Sequence, residues 1–371
     1  MIKLLSTNRD TLLKPLNITS GFVEKKQTMP ILSNVYVKKS GHELTVIAND
    51  MEIQVCVTNN EEMSGEDFII TIPGKKLQDI LKAIPDNAKI TLTQDDNKIL
   101  VTSGKLKYTI QSLPAEHYPL LKISDSIVCE FTLEQIQLKQ MLWQIQYAMA
   151  DKDSRVFLNG MLFEIKNNQL RLVATDAHRL GFSSIDLTNK IDRDISVIIP
   201  RKTVTELFKI LDGTTEPIQI KFYTNQVFFE TNGKQLITKI IDGKYPDYER
   251  VIPMGNDKLC IVNRTNLLNA VERVAVIGSD KIKNLTLELS PNLLTLSCQN
   301  DEQENSHDEI DIVYENSTPI KISFNLNYLR DLLSNNSAEV LQLGFFDGQR
   351  SVLATIPANT HFKAVVMPMR V

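Results

Sequence analysis

Apolar residues recur at helical spacing in six places along the chain. Leu77, Ile80, Leu81 and Ile84 fall at i, i+3, i+4 and i+7 after Pro73, which predicts a helix with one buried face. Val204, Leu207, Phe208 and Leu211 repeat that stripe after Pro200. Leu138, Met141, Leu142 and Ile145 carry another behind Thr132 and Gln135, a capping-box pattern. A helix is predicted from about residue 8 to 21, with Asn8 as its cap and Pro15 as a kink or break. Two more are predicted at 263–276, capped by Asn263, and at 325–334. Between the helices polar and apolar residues alternate with period two. KITLTQDDNKILVTS reads as a hairpin turning at Asp95, Asp96 and Asn97, and Thr224-Asn225 and Asn232-Gly233 mark further turns. The polar run NDEQENSHDE at 300–309 reads as an exposed loop interrupting a strand pair.

This order of elements is written three times. NVYVKKSGHELTVIAND ends at Asp50, GMLFEIKNNQLRLVATD at Asp176 and NLTLELSPNLLTLSCQN at Asn300. A second landmark follows each, TIPGKKLQDIL from Thr71, IIPRKTVTELF from Ile198 and SFNLNYLRDLL from Ser323. The period of about 125 residues is far beyond the roughly 20 to 50 of a solenoid unit, so each repeat is a domain. The expected fold is α+β, three repeated domains at 1–127, 128–256 and 257–371, each with two helices packed on antiparallel sheets. No strand–helix–strand unit with a glycine-rich turn appears, which speaks against a dinucleotide or P-loop domain.

Composition narrows the class. At 371 residues the chain holds several full cores. Without a membrane-length apolar run or a signal-peptide pattern at the start, a cytoplasmic protein is expected. Cys56, Cys129, Cys260 and Cys298 are scattered and form no C-x-x-C pair, as expected of small core thiols in a reducing compartment rather than of a metal or disulfide framework. No cofactor is expected.

The net charge of −4 is unevenly placed. Segments 8–26, 74–84, 134–150, 201–212, 263–276 and 325–334 hold 14 Lys and Arg against 8 Asp and Glu, leaving about −10 for the rest. Either these cations solvate ordinary helix faces, or six basic helices share one surface turned toward a polyanion, holding a phosphate backbone without sequence readout.

Seven strings then become informative together: MPILSNVYV at 29–37, SLPAEHYPLL at 112–121, MADKDSRVFLNGMLFE at 149–164, VATDAHRLG at 173–181, IIPRKTVTEL at 198–207, IIDGKYPDYERVIP at 240–253 and VVMPMRV at 365–371. With the threefold repeat they resemble the β subunit of bacterial DNA polymerase III, the sliding-clamp family, from the first residue to the last. The resemblance implies the DNA-clamp fold, with two chains closing head to tail into a six-domain ring around duplex DNA, helices inside and sheets outside. It implies a non-catalytic processivity factor that tethers the replicative polymerase α subunit, is loaded by a clamp-loader complex, and takes other polymerases and repair proteins through short linear motifs. It further implies a nucleoid-associated place in the bacterial cytoplasm.

The resemblance also assigns residues. The peptide groove would be lined by Leu158, Thr175, Ala177, His178, Arg179 and Leu180, by Pro246, Arg250 and Val251, and by Ser351, Val365, Val366, Met367, Pro368, Met369 and Arg370. Ala177 stands where the family pattern carries glycine, and Val156-Phe157 where members often show tyrosines near DNA. DNA-facing candidates are Lys26, Lys75, Lys76, Lys82, Arg201, Lys202 and Lys209. At the dimer seam Tyr108 and Ile110 would pack on Val276 and Ile277, with Asp301, Glu302 and Glu304 pairing with Lys75 or Lys76. Two other classes stay in view: an enzyme using Asp176, His178 and Arg179 for acid–base chemistry, which lacks any accompanying nucleophile, metal or phosphate motif, and a repeat scaffold that binds proteins without encircling DNA.

Overall fold

The computed structural model describes residues 2–23, 29–61, 63–123, 126–191, 193–277, 284–300 and 302–369. Six α-helices lie among them: α1 Arg9–Thr19, α2 Gly74–Ala83, α3 Gln135–Ile145, α4 Arg201–Ile210, α5 Arg264–Ala275 and α6 Leu326–Ser334. Each falls inside a segment where the apolar stripe predicts one. The strands pair antiparallel throughout the described ladders.

The chain divides into two compact units, Met1–Ile136 with Thr205–Ile240, and Gln137–Val204 with Ile241–Val371. The first contains a four-stranded sheet, in the order Ile2–Asn8, Lys89–Asp95, Lys98–Ser103, Leu106–Gln111, and an eight-stranded sheet. In the larger sheet, Ile53–Asn59 of the first repeat pairs with Lys234–Lys239 of the second, Val55 opposite Leu236. The second unit repeats the plan. Its four-stranded sheet runs Asn305–Asp311, Leu293–Gln299, Asn284–Ser290, Ile320–Asn325. Its eight-stranded sheet joins Arg179–Asp186 to Asn359–Val366, with Gly181 opposite Ala364. Pairing across repeats leaves fewer open strand edges than separate domains would expose, and places the last strand of the chain beside the strand that follows Asp176.

The repeated landmark residue has one structural job. Asp50 Oδ1 accepts the amides of Glu52 and Ile53 at 3.0 and 2.8 Å, Asp176 Oδ1 those of His178 and Arg179 at 2.9 and 3.0 Å, and Asn300 Oδ1 those of Glu302 and Glu304 at 3.0 and 2.9 Å. A short side-chain acceptor that bonds the backbone two residues on builds a turn locally. In the first two copies the next residue turns left-handed, Met51 at φ 76° and Ala177 at φ 75°.

α1 packs on Glu43–Asn49 and Ile53–Asn59 and against α2, and α5 correspondingly on Leu293–Gln299 and Asn305–Asp311 and against α6. Leu12, Leu16, Leu77 and Leu81 are buried on the first pair, and Leu267, Val271, Leu329 and Leu333 on the second. Asn263 caps α5 as expected, accepting the Asn266 amide at 3.0 Å.

Four expectations change. α1 runs unbroken through Pro15, because the carbonyl orphaned by the missing proline N–H, that of Thr11, accepts from Asn59 Nδ2 at 2.8 Å. Asn8 occupies the cap position without a side-chain capping bond; the Arg9 amide donates to the Ala88 carbonyl at 2.9 Å instead. Thr132 lies in strand Ile127–Glu134, so no capping box forms, and the first amides of α3, Gln135 and Ile136, donate to the carbonyls of Glu216 and Thr214. Of the acidic run, residues 305–309 belong to the edge strand Asn305–Asp311; charged side chains on an edge are a common guard against unwanted pairing.

Candidate functional site

The loop after Thr175 is rigid for reasons that can be named. Thr175 Oγ1 donates to the Arg179 carbonyl at 2.6 Å and accepts the Ala177 amide at 3.1 Å, while Asp176 closes the turn. Left-handed φ at Ala177 explains why glycine suits this position, since a Cβ there costs about 1–2 kcal/mol. The Arg179 guanidinium is spoken for in three directions: Nε to Asp176 at 3.0 Å, Nη1 to Asp331 of α6 at 2.5 Å and Nη2 to the Tyr147 carbonyl at 2.8 Å. It lies 5.1 Å from the ring centroid of Tyr147 and 4.6 Å from that of Tyr328. Burial pushes the Tyr147 phenol well above its ordinary range, so it stays protonated. His178 stacks on Tyr328 with ring centroids 6.3 Å apart.

Beside this loop opens a largely apolar pocket of about 320 Å³. Leu158, Thr175, Ala177, His178, Arg179, Leu180, Pro246, Val251, Val365 and Met367 line it. Four distant chain segments thus meet at one place. Arg155, Phe157 and Tyr248 also line it and were missed by the sequence reading, although all three lie inside the quoted strings. Tyr248 sits in a 3₁₀ turn, Tyr248–Arg250, where strand parity gives no guide to which side chain faces in. Its hydroxyl donates to Glu164 at 2.6 Å, and Tyr245 below it donates to the Val173 carbonyl at 3.2 Å. Arg155 is held by a two-point fork, Nε and Nη2 to Asp153 at 3.0 and 2.9 Å, and those hydrogen bonds lower the Asp153 carboxyl to about 2.

Val366 lies behind the pocket, buried and paired with Arg179. The tail then crosses the surface: the Met367 amide donates to the His178 carbonyl at 2.9 Å and the Met369 amide to the Ser323 carbonyl at 2.7 Å. Arg250, Ser351, Pro368 and Met369 line a second, adjoining basin of about 1070 Å³ that shares Val251 and Met367 with the first. Arg370 falls outside the described residues.

Residues 4–122, 132–247 and 249–370 match the N-terminal, central and C-terminal domains of the DNA polymerase III beta subunit. A beta sliding clamp of Pseudomonas putida is 36% identical over 363 residues, covering 98% of each chain, and that of Escherichia coli K12 is 33% identical over 365 residues, covering 98% of this chain and 99% of the relative. A crystal structure of a Pseudomonas aeruginosa DNA polymerase sliding clamp with ligand superposes with a TM-score of 0.93 at 34% identity over the whole of both chains. The chain belongs to the DNA polymerase III beta subunit family, the beta sliding clamps.

A sliding clamp is a non-catalytic subunit, and the TDAHR string has the chemistry of a scaffold. Asp176 spends its oxygens on two amides and Arg179, and His178 stacks on an aromatic ring at the pocket edge, its own ring without a hydrogen-bonded acid–base partner among the described residues.

The clamp's candidate DNA-facing cations differ in what they touch. Lys75, Lys76 and Lys82 are exposed on α2, with no carboxylate in ion-pair reach among the described residues. Lys202 is half-buried, and Lys209 is exposed and pairs with Glu206 at 2.8 Å. Arg201 is partly committed to the fold, its Nη1 donating to the Met149 carbonyl at 2.5 Å. Lys26 lies outside the described residues. The helix charge excess overstates the exposed charge. Arg9 is buried against the Ile84 carbonyl and Asp86, and Arg264 donates to the Leu333 carbonyl at the end of α6, a position that favours a cation.

At the candidate seam Val276 is 82% exposed and Ile277 half-buried. Tyr108 borders a pocket of about 550 Å³ with Lys75, Lys76, Ile80 and Ala83. Ile110 differs from Tyr108 in its surroundings. It is 2% exposed within its own chain, as the inward member of edge strand Leu106–Gln111, so its side chain offers little surface of its own. Leu106, on the same strand and 43% exposed, is the apolar side chain that remains free. Glu302 and Glu304 are exposed, and Asp301 is outside the described residues.

Proposed function

We propose that two copies of this clamp close head to tail around duplex DNA, each built of modules 1–127, 128–256 and 257–371. The apolar pocket and its adjoining basin then dock short linear segments of the polymerase α subunit, the clamp loader and other replication and repair proteins, in the cytoplasm at the nucleoid. The observation that carries the docking role is the meeting of Leu158, the 175–180 loop, Pro246–Val251 and Val365–Met367 around one cavity. Flexible thioethers and small aliphatics form a surface that repacks around different side chains, while the hydrogen-bonded loop fixes its rim.

Closure has support in two of the edge strands. Strand Leu106–Gln111 ends one four-stranded sheet, carries exposed Lys107 and follows exposed Lys105; strand Asn305–Asp311 ends the other and exposes Glu309 and Asp311. Opposite charges on two unpaired edges suit antiparallel pairing between chains, with Val276 entering the pocket beside Tyr108. Lys75, Lys76, Lys82, Lys202 and Lys209 then supply weak, sequence-independent phosphate contacts. Weak contact suffices where the link is topological, and tethering raises the effective concentration of a docked polymerase.

Deleting residues 367–371 tests the groove. Peptides from the polymerase should lose binding while sedimentation still shows a dimer. Undiminished peptide affinity in that truncation refutes the assignment.

A further inference from the structure

Each compact unit holds one copy of the same junction, and the copies differ in what lies across them. In the second unit Val365 stands opposite Leu180 and Leu353 opposite Val365, and the Met367 amide donates to the His178 carbonyl at 2.9 Å. In the first unit Ile237 stands opposite Gln54 and Phe228 opposite Ile237, and the Lys239 amide donates to the Glu52 carbonyl at 2.9 Å. A Tyr-Pro pair is anchored alike in both. Tyr245 donates to the Val173 carbonyl at 3.2 Å, three residues ahead of Asp176, and Tyr118 reaches the Ile47 carbonyl at 3.5 Å, three ahead of Asp50.

Past that anchor the copies part. In the first, the segment after Tyr118 is pinned to the sheet at three points. Asn49 Nδ2 donates to the Pro119 carbonyl, the Leu121 amide donates to Gln54 Oε1 at 2.9 Å, and Gln226 Nε2 donates to the Lys122 carbonyl at 3.0 Å. Gln54 is directly opposite Ile237, and Gln226 is two residues before Phe228, so the segment crosses the strands at Ile237 and Phe228. Those two lie on the sheet face away from buried Leu236 and Phe229, yet are only 6 and 5% exposed. Leu121 is half-buried there, while Leu120 and Ile123 stand out to solvent. In the second copy the pins are gone. Thr175, in the place of Asn49, bonds within its own loop, and Leu180, in the place of Gln54, has no polar side-chain atom. There the pocket of about 320 Å³ stays open.

We propose that the first junction is a second docking site for short apolar segments, held shut by residues 119–123 of the chain itself, with Leu121 in the seat of a partner's side chain. The inference rests on the docking role proposed above, because it takes the open pocket as the working copy. Asn49, Gln54 and Gln226 are 0, 7 and 7% exposed, and buried amides keep their hydrogen-bond partners. All three bond main-chain atoms of the resident segment, so the site selects an extended backbone carrying one leucine-like side chain. An incoming segment of that form can make the same bonds. The resident one prevails because it belongs to the same chain and acts at an effective concentration on the order of millimolar. Each clamp chain therefore presents one docking site rather than two, and the Leu121–Gln54 contact sets that count.

The test uses the full-length clamp with its open groove saturated by an unlabelled polymerase-derived peptide. The probe is a fluorescent peptide copying residues 118–123, read by anisotropy. The unmodified clamp should bind it weakly. Leu121→Gly empties the seat and leaves Gln54 in place, and should tighten the probe about tenfold or more, to one per chain, the factor carried by burying half or more of a leucine side chain. A Leu121→Ser version of the probe should lose that gain, and so should Gln54→Ala added to the Leu121→Gly clamp. A Leu121→Gly clamp that still takes the polymerase peptide but gains no probe affinity overturns the inference and leaves the open groove standing. A gain that more polymerase peptide competes away puts the probe in the open groove and overturns the inference as well. Tight probe binding by the unmodified clamp shows that the site is not shut, with the same consequence. Failure of the polymerase peptide to bind any form overturns the docking role and the inference together. If Leu121→Gly does not fold, the unmodified clamp decides: millimolar probe should speed hydrogen exchange at the Leu121 amide, and unchanged exchange there overturns the inference.

Discussion

Replacing Arg179 by alanine should weaken both the fold and the groove. The guanidinium is 12% exposed, bridges Asp176 and Asp331, and bonds the Tyr147 carbonyl between two tyrosine rings. Removing one partner of a buried ion pair costs about 3–5 kcal/mol. That figure is reduced here, because Asp331 is 37% exposed and recovers hydration, and Asp176 keeps two amide donors. Loss of the two ring contacts adds about 0.5–1 kcal/mol each. The expected destabilisation is about 2–4 kcal/mol. Urea unfolding reports it through Trp143, the only tryptophan, which lies in α3 just before Tyr147. Arg179→Lys keeps the charge but loses the planar fork, and should recover less than half. Peptide affinity should fall in both variants, since the loop that walls the pocket loses its tether to α6. An Arg179→Ala protein within about 0.5 kcal/mol of the parent, with unchanged peptide binding, would refute the reasoning.

Three further perturbations follow from local geometry. Ala177→Gly removes a left-handed Cβ penalty of about 1–2 kcal/mol and returns about 0.5–1 kcal/mol as unfolded-chain entropy, so the urea midpoint should rise slightly; a fall contradicts the strain argument. Asn59→Leu strips the Thr11 carbonyl of its donor and should cost about 1–3 kcal/mol in urea unfolding, and adding Pro15→Ala should restore most of it by supplying the helical N–H; no rescue would show that the proline is not the reason for the bond. Asp153, lowered to about 2 by its hydrogen bonds to Arg155, contributes stability that is fully present above the ordinary carboxylate pKa and is lost as pH falls toward 2. A carboxyl NMR titration should place its midpoint near 2 and raise it part of the way toward the ordinary range in Arg155→Gln, which keeps the residue-155 amide bond to Asp153 but loses the guanidinium; an unshifted midpoint in that variant removes the Arg155 side chain as the cause.

The six helices were legible because a 3.6-residue apolar stripe needs no tertiary information, and the hairpins because Asp96 and Asn232-Gly233 demand left-handed turns. The repeated Asp50, Asp176 and Asn300 were visible as a pattern, and each proves to be a turn builder. What escaped was decided by partners far along the chain. Asn59 rescues the Pro15 helix from 44 positions away, which no local rule for proline anticipates. The Thr132 capping box failed because the strand continues through it to Glu134. The motif strings contain the loops that meet around the pocket, but Tyr248 and Arg155 face it through a 3₁₀ turn and an ion pair that carry no periodicity. The burial of Ile110 was not legible because Tyr108 and Ile110 share one strand face that dips from rim to core within two residues.

The central claim is topological, and retention on DNA tests it most directly. Clamps loaded onto a nicked circular plasmid should stay bound through a high-salt gel-filtration column and leave once a single restriction cut makes the DNA linear. Equal loss from circle and linear form at high salt would mean that charge alone holds the protein to DNA, and the encircling ring would have to be abandoned.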